Sequence, residues 1–154
     1  MNSIVSYFRK ERYEGLFAAD QDGLDLKNTL MKELADTNYT LVDLSVEPHA
    51  DFVDAACAIS QKLLEDEESL GFIIDRYGAG SYMAACKIKG IIACECSDER
   101  SAYMTREHNN ARLICMGSGI VGPDLARNIV KQFLNSKYAA GRHQIRVDML
   151  NTLC

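Results

Sequence analysis

The 154-residue chain has no apolar run approaching the roughly 18 residues that a membrane-crossing helix needs. Residues Met1 to Glu14 carry charge where a secretory leader would be apolar. A cytoplasmic protein with no membrane partner is expected. Proline is scarce, 2 residues beside 10 glycines, which excludes collagen-like and low-complexity architectures. Blocks of like charge are missing as well. The 17 basic and 22 acidic residues are interspersed, the net charge is −5, and nothing forms the basic footprint that a nucleic acid requires. An anionic ligand must therefore be held by a local cluster. Cys94-Glu95-Cys96 has no histidine nearby in sequence, a spacing unlike that of zinc sites, so no metal is expected.

What remains is the composition of a packed domain, 47% apolar and 25% charged, at a length that suits one hydrophobic core. Residues 15–154 are read as that domain and residues 1–14 as an appended N-terminal arm. Of the 6 cysteines, Cys57, Cys86, Cys94, Cys96 and Cys115 lie in apolar segments and are expected to be reduced, buried thiols.

Apolar, β-rich runs recur at Gly15 to Asp20, Tyr39 to Leu44, Leu70 to Asp75, Ile91 to Cys96 and Leu113 to Gly117, each roughly 20 to 30 residues after the last. The later runs are nearly continuous in apolar character, as strands covered on both faces are. Between them, Leu24, Leu26, Leu30, Met31 and Leu34 keep a helical spacing, as do Phe52, Ala55, Ala56, Ile59, Leu63 and Leu64. Ser97 is read as the N-cap of a further helix, and Pro123 as the first residue of one that runs to about Ser136. A last helix should start near Gly141 and reach the C-terminus. Five strands alternating with helices predict a three-layer α/β/α sandwich with a five-stranded parallel, Rossmann-like sheet and an extra C-terminal helix. Ligands in such sheets bind outside the carboxyl ends of the strands, which directs attention to Asp20-Gln21, Asp75 to Gly78, Ser97-Asp98 and Gly117-Ser118.

Three segments can carry chemistry. In Asp75-Arg76-Tyr77-Gly78-Ala79-Gly80-Ser81, the two glycines before a helix allow close backbone approach to an anion, and they serve tight packing equally well. His108, in Arg106-Glu107-His108-Asn109-Asn110, can shuttle protons near neutral pH or simply cap helix carbonyls. Arg142 and Arg146 lie at i and i+4, on one helical face, where they can share a phosphate or form a solvated stripe. His143, between them, points elsewhere and is read as structural.

Taken as an ordered set, Arg106 to Asn110, Val121-Gly122-Pro123-Asp124-Leu125-Ala126 and Gly141 to Val147 resemble the ribose/galactose isomerase family, the type B ribose-5-phosphate isomerases and the galactose-6-phosphate isomerase subunits. The similarity runs from about Gly15 to the C-terminus. Ser97 to Thr105 and Val147 to Asn151 are most similar to the A-type galactose-6-phosphate isomerase subunits. The resemblance implies an aldose–ketose isomerase of D-galactose 6-phosphate and D-tagatose 6-phosphate, without metal or cofactor, whose site is shared between subunits. His108 would open the sugar ring, Asn109 would hold hydroxyls, and Arg142 with Arg146 would bind the phosphate.

The departures matter as much. Catalytic members of the family carry Cys-Gly-Thr-Gly-x-Gly where this chain has Asp75-Arg76-Tyr77-Gly78-Ala79-Gly80, so the Cys that moves the proton is Asp75 here and the Thr is Tyr77. The Asp-His pair after the first strand is Asp20-Gln21. Asp20, Asp75, Tyr77, Gly78 and Gly80 therefore form a degenerate site, and a B-type subunit would supply the working loop. Self-association is also expected, because Ile145, Met149, Leu150 and Leu153 give the last helix more apolar surface than a monomer should expose. Two other readings stand beside this one: a homomeric isomerase with Asp75 as its base, and a phospho-receiver-like signalling domain built on Asp20, Asp22 and Asp75. The second lacks the Lys such a domain needs after its fifth strand, where the chain has Met116-Gly117-Ser118.

Overall fold

The computed structural model describes residues 14–153. The proposed arm thus lies outside the described residues except for Glu14, which already belongs to the first strand. The chain runs β1 (Glu14–Ala19), α1 (Leu24–Glu33), β2 (Thr40–Asp43), α2 (Phe52–Glu65), β3 (Leu70–Asp75), α3 (Ala79–Ala85), β4 (Ala93–Glu95), α4 (Glu99–Asn109), β5 (Leu113–Gly117) and α5 (Pro123–Asn135). A 3-10 turn (Gly141–His143) then leads into α6 (Gln144–Thr152). All strand pairings are parallel and the order is β2-β1-β3-β5-β4, the five-stranded sheet expected from the spacing of the apolar runs.

Strand β3 is central and every residue of it is buried, which is why its sequence reads as an unbroken apolar run. Alternate side chains feed two cores. Phe17, Phe72, Ile74, Ile114 and Met116 meet α1, α4 and α5 through Leu30, Ala102, Ile129 and Phe133. Leu16, Ala18, Ile73, Leu113 and Cys115 meet α2 and α3 through Ala55, Ile59, Leu63 and Ala85. Within the first core, Phe17 stacks on Phe72 at 4.8 Å between centroids and Phe133 meets Phe72 edge-on at 5.7 Å. The result is the predicted three-layer sandwich.

Four expectations need correction. β4 spans Ala93–Glu95 rather than Ile91 to Cys96 and is only half-buried, because it is an edge strand paired with β5 alone. A short edge strand limits unwanted pairing with other chains. The N-cap of α4 is Asp98, whose carboxylate accepts the Ser101 N–H at 2.7 Å, while Ser97 Oγ donates to Glu95 instead. Cys57 is exposed and Cys86 and Cys94 are half-buried, leaving Cys96 and Cys115 as the buried thiols among the described residues. The last helix is preceded by a 3-10 turn, so Arg142 and Arg146 do not share one continuous α-helix.

An ion pair, buried at its lysine and about a quarter exposed at its aspartate, ties α1 to the end of β2. Lys27, fully buried, donates from Nζ to Asp43 Oδ2 at 2.6 Å and to the Ser45 carbonyl at 2.8 Å. The other Asp43 oxygen accepts the Ser45 N–H, and Ser45 Oγ accepts the N–H of Ala19 at the end of β1. Removing one partner of a buried pair strands the other charge in a dry environment, at about 3 kcal/mol or more. Asp43→Ala should therefore lower unfolding stability by about that amount in urea titration, whereas a loss under about 1 kcal/mol would mean that water solvates the ammonium group.

Candidate active site

Order β2-β1-β3 reverses the direction of winding between β1 and β3, and the crevice at that reversal is where open α/β sheets bind ligands. Asp20 and Asp75 stand there, at the carboxyl ends of neighbouring strands. Gly23 lets α1 start directly against β3, since a Cβ at that position would lie 1.8 Å from the Ile74 carbonyl oxygen. Asp20 Oδ1 accepts the N–H groups of Asp22 and Gly23, both at 3.1 Å, and so closes the turn into α1. Burial, reinforced by the negative charge of Asp75, raises the Asp20 carboxyl above the usual carboxylate range, against the lowering effect of those two N–H bonds.

Asp75 is 4% exposed and its oxygens are taken up internally. Oδ1 accepts the Gly78 N–H, and Oδ2 accepts both the Ser81 N–H at 3.1 Å and Ser81 Oγ at 2.6 Å. The donors that could cradle an anionic intermediate are thus engaged by the chain's own carboxylate. Gly78 adopts φ 78°, the left-handed conformation that the tight loop demands. Gly80 is a packing glycine, with its Cβ position 3.1 Å from the Phe52 ring. Tyr77 points outward, with the Arg76 guanidinium 5.9 Å from its ring centroid. This crevice carries two carboxylates and no open anion-binding loop. It suits neither a base working beside an anionic enediolate nor a solvent-accessible phosphate acceptor.

His108, Asn109, Arg142 and Arg146 gather elsewhere. Helix α4 starts beside the carboxyl end of β4 and, at 11 residues and roughly 16 Å, returns the chain to the amino ends of the strands. His108 and Asn109 occupy its last turn, which closes on Asn110 in the left-handed conformation. From the end of α5 the chain comes back alongside, fastened by the Ala139 N–H to the Glu107 carbonyl at 2.9 Å. Ala140 and Gly141 both take positive φ, 52° and 57°, turning the backbone sharply into the 3-10 segment. Arg142 and Arg146 extend into solvent, and neither pairs with a carboxylate among the described residues. Asn109 is exposed and lines a cavity of about 340 Å³ with Tyr82, Cys94, Thr105, Leu150 and Leu153.

The candidate residues therefore form two sets at opposite ends of one sheet. Asp20, Asp75, Tyr77, Gly78 and Gly80 lie at the carboxyl ends, and His108, Asn109, Arg142 and Arg146 at the amino ends. His143, read from the sequence as structural, lies with its ring parallel to His108 at 4.1 Å. Nothing in its spacing signalled this, because the two histidines meet only through the α5-to-α6 connection. Among the described residues no group of side chains could hold a metal ion, and no helix is long and apolar enough to cross a membrane.

By fold, the chain is a Rossmann-like α/β domain with polar side chains collected at both edges of its sheet. It belongs to the Ribose/Galactose Isomerase family, which matches residues 16–150. It is 52% identical over 138 residues to galactose-6-phosphate isomerase subunit LacA of Enterococcus faecalis, covering 90% of this chain and 97% of the relative. The Staphylococcus aureus subunit LacA is 52% identical over 139 residues, 90% of this chain and 98% of the relative. Among solved structures, the ribose 5-phosphate isomerase of Thermotoga maritima superposes with a TM-score of 0.85 at 27% identity, covering 90% of this chain and 97% of that one. Ribose-5-phosphate isomerase B of Mycoplasma genitalium, with bound ribulose-5-phosphate, gives 0.84 at 32%, covering 90% and 94%.

The cavity beside Asn109 also holds an unusual thiol. The Cys94 thiol donates to the Glu95 carbonyl at 3.1 Å, and the neighbouring Cys96 thiol, against the opposing effect of burial, lowers the Cys94 pKa to about 7 while Cys96 is pushed up. Thiolates, not thiols, are alkylated. Cys94 should therefore react with iodoacetamide with an apparent midpoint near pH 7, ahead of the buried Cys96 and Cys115. Peptide mapping that shows Cys94 reacting no faster than Cys96 at pH 7.5 would contradict this.

Proposed function

We propose that the chain is the A-type half of a heteromeric galactose-6-phosphate isomerase, interconverting D-galactose 6-phosphate and D-tagatose 6-phosphate with a B-type chain of the same fold. The observation that carries this division of labour is the Asp75 carboxylate filling its own loop, which leaves this chain without a base and an anion cradle at the carboxyl end of its sheet. Its opposite end is intact. The 52% identity to galactose-6-phosphate isomerase subunits over nearly their whole length supports the hexose phosphate as substrate. The exposed apolar face of α6, with Ile145 and Met149 each 60% exposed and Leu153 78%, supports burial against another chain.

In this reading, Arg142 and Arg146 bind the 6-phosphate by charge-assisted bonds, and Asn109 holds sugar hydroxyls. His108 takes the anomeric hydroxyl proton and returns a proton to the ring oxygen, opening the pyranose. A partner loop that retains Cys-Gly-Thr-Gly-x-Gly then removes the proton from carbon 2. Its backbone N–H groups stabilise the enediolate while the proton is delivered to carbon 1. No electrons leave the substrate and no metal enters. The cytoplasm is the setting for such phosphorylated substrates, and the free cysteines of the chain suit it. A homomeric enzyme with Asp75 as its base is disfavoured, since its carboxylate oxygens already accept three bonds.

Two measurements test the proposal. The purified chain alone should turn over galactose 6-phosphate at no more than background rate and become active when co-expressed with a partner carrying the Cys loop. Robust activity of the single chain would overturn it. In the active heteromer, Arg142→Ala or Arg146→Ala should raise KM by roughly 10- to 150-fold, the worth of a charge-assisted bond of about 1.5–3 kcal/mol. An unchanged KM in both variants would remove the phosphate assignment.

A further inference from the structure

The reaction just described uses His108 but gives no role to His143, whose ring lies face to face with it. The two rings are 4.1 Å apart between centroids and 14° from parallel. They come from elements 35 positions apart in the chain, joined by the bond from the Ala139 N–H to the Glu107 carbonyl and the turn at Ala140 and Gly141. A non-glycine residue at φ 52° is strained, and here the strain sits at the hinge that lays one ring on the other. Among the described residues, no hydrogen bond from a side chain or carbonyl holds the His108 imidazole. Its last torsion is the broad, two-fold kind that leaves a ring free to turn.

We propose that His143 is a positioning residue for His108: its ring, stacked on the imidazole, fixes the plane in which the His108 nitrogens face the sugar during ring opening. This rests on the reading of His108 as the ring-opening group. The charged and titratable groups around His143 are His108, Glu107, Arg142 and Arg146. Desolvation, followed by the charges of His108, Arg142 and Arg146 and opposed by Glu107, lowers its proton affinity below that of an ordinary histidine. The supporting ring is thereby biased toward its uncharged form. A second imidazolium in face contact would instead push the first away.

The test combines a spectroscopic readout on the free chain with kinetics of the co-expressed heteromer. In the free chain, stacking should move the His108 ring-proton resonances upfield. His143→Ala should abolish that displacement, and His143→Phe, which keeps a flat ring, should preserve it. In the heteromer, His143→Ala should lower kcat about tenfold with KM within about twofold, the cost of a misaligned catalytic group, and His143→Phe should recover most of the rate. If His143→Phe is as slow as His143→Ala, the ring nitrogens and not the stack do the work, and the proposal fails. If His143→Ala raises KM and leaves kcat alone, His143 binds substrate directly, which also overturns it. His108→Ala separates the two levels: full activity in that variant removes the underlying reading, whatever the resonances show.

Discussion

The carboxylate of Asp75 is the constraint around which the carboxyl edge of the sheet is built. It ends the central strand, where it is shut off from water, and a buried carboxylate is tolerated only when its oxygens are satisfied. Three donors do so, two of them N–H groups from the following loop and the start of α3. Those bonds pull Gly78 into the left-handed conformation. The loop in turn packs on Gly117, whose Cβ position would lie 2.6 Å from the Tyr77 backbone, and the Asp75 carbonyl accepts the Ser118 N–H. Losing any one of these partners would leave a buried polar group unpaired, at about 1–3 kcal/mol. The same bonds that hold the loop in place occupy N–H groups that an external anion would need.

Parallel topology then separates the remaining chemistry in space. Every strand ends at one edge of the sheet, and every crossover helix delivers the chain to the other. His108 at the end of α4 and Arg142 and Arg146 around the start of α6 are therefore held away from anything at the carboxyl ends of the strands. In the proposed heteromer the two edges are used together, with the amino edge of this chain set against the carboxyl edge of its partner. In such an arrangement each contact surface can diverge independently. Under the proposed division of labour, Asp75 and Tyr77 mark the edge that has diverged, and the amino-edge residues are the ones that serve the neighbour.

Much of this was legible in the linear sequence. The rhythm of apolar runs fixed the number of strands and their parallel pairing, and β3 and β5 fall where their continuous apolar character placed them, since a strand buried on both faces has no polar positions to blur its ends. Pro123 marks the start of α5 because its ring suits the first helical position and no other. The residues of the amino-edge cluster could be read as an ordered set because the family spacing is carried by short local motifs. Edges and caps were harder. The apolar run around Ile91 overstates β4, for a strand at the sheet margin is limited by its one neighbour and not by its own composition.

Sequence alone therefore determined what depends on local periodicity: five strands, the helices between them, and the identity of the groups available for acid–base and phosphate chemistry. Tertiary structure decided what depends on where distant segments meet. Whether Asp75 is a free base or a bonded anchor turns on the path of the six residues after it. Whether His143 is a bystander or lies against His108 turns on how the chain after α5 is fastened to α4, which no spacing of residues records. Both outcomes are set by chain reversals, and a reversal brings together side chains whose separation in sequence carries no information about their distance.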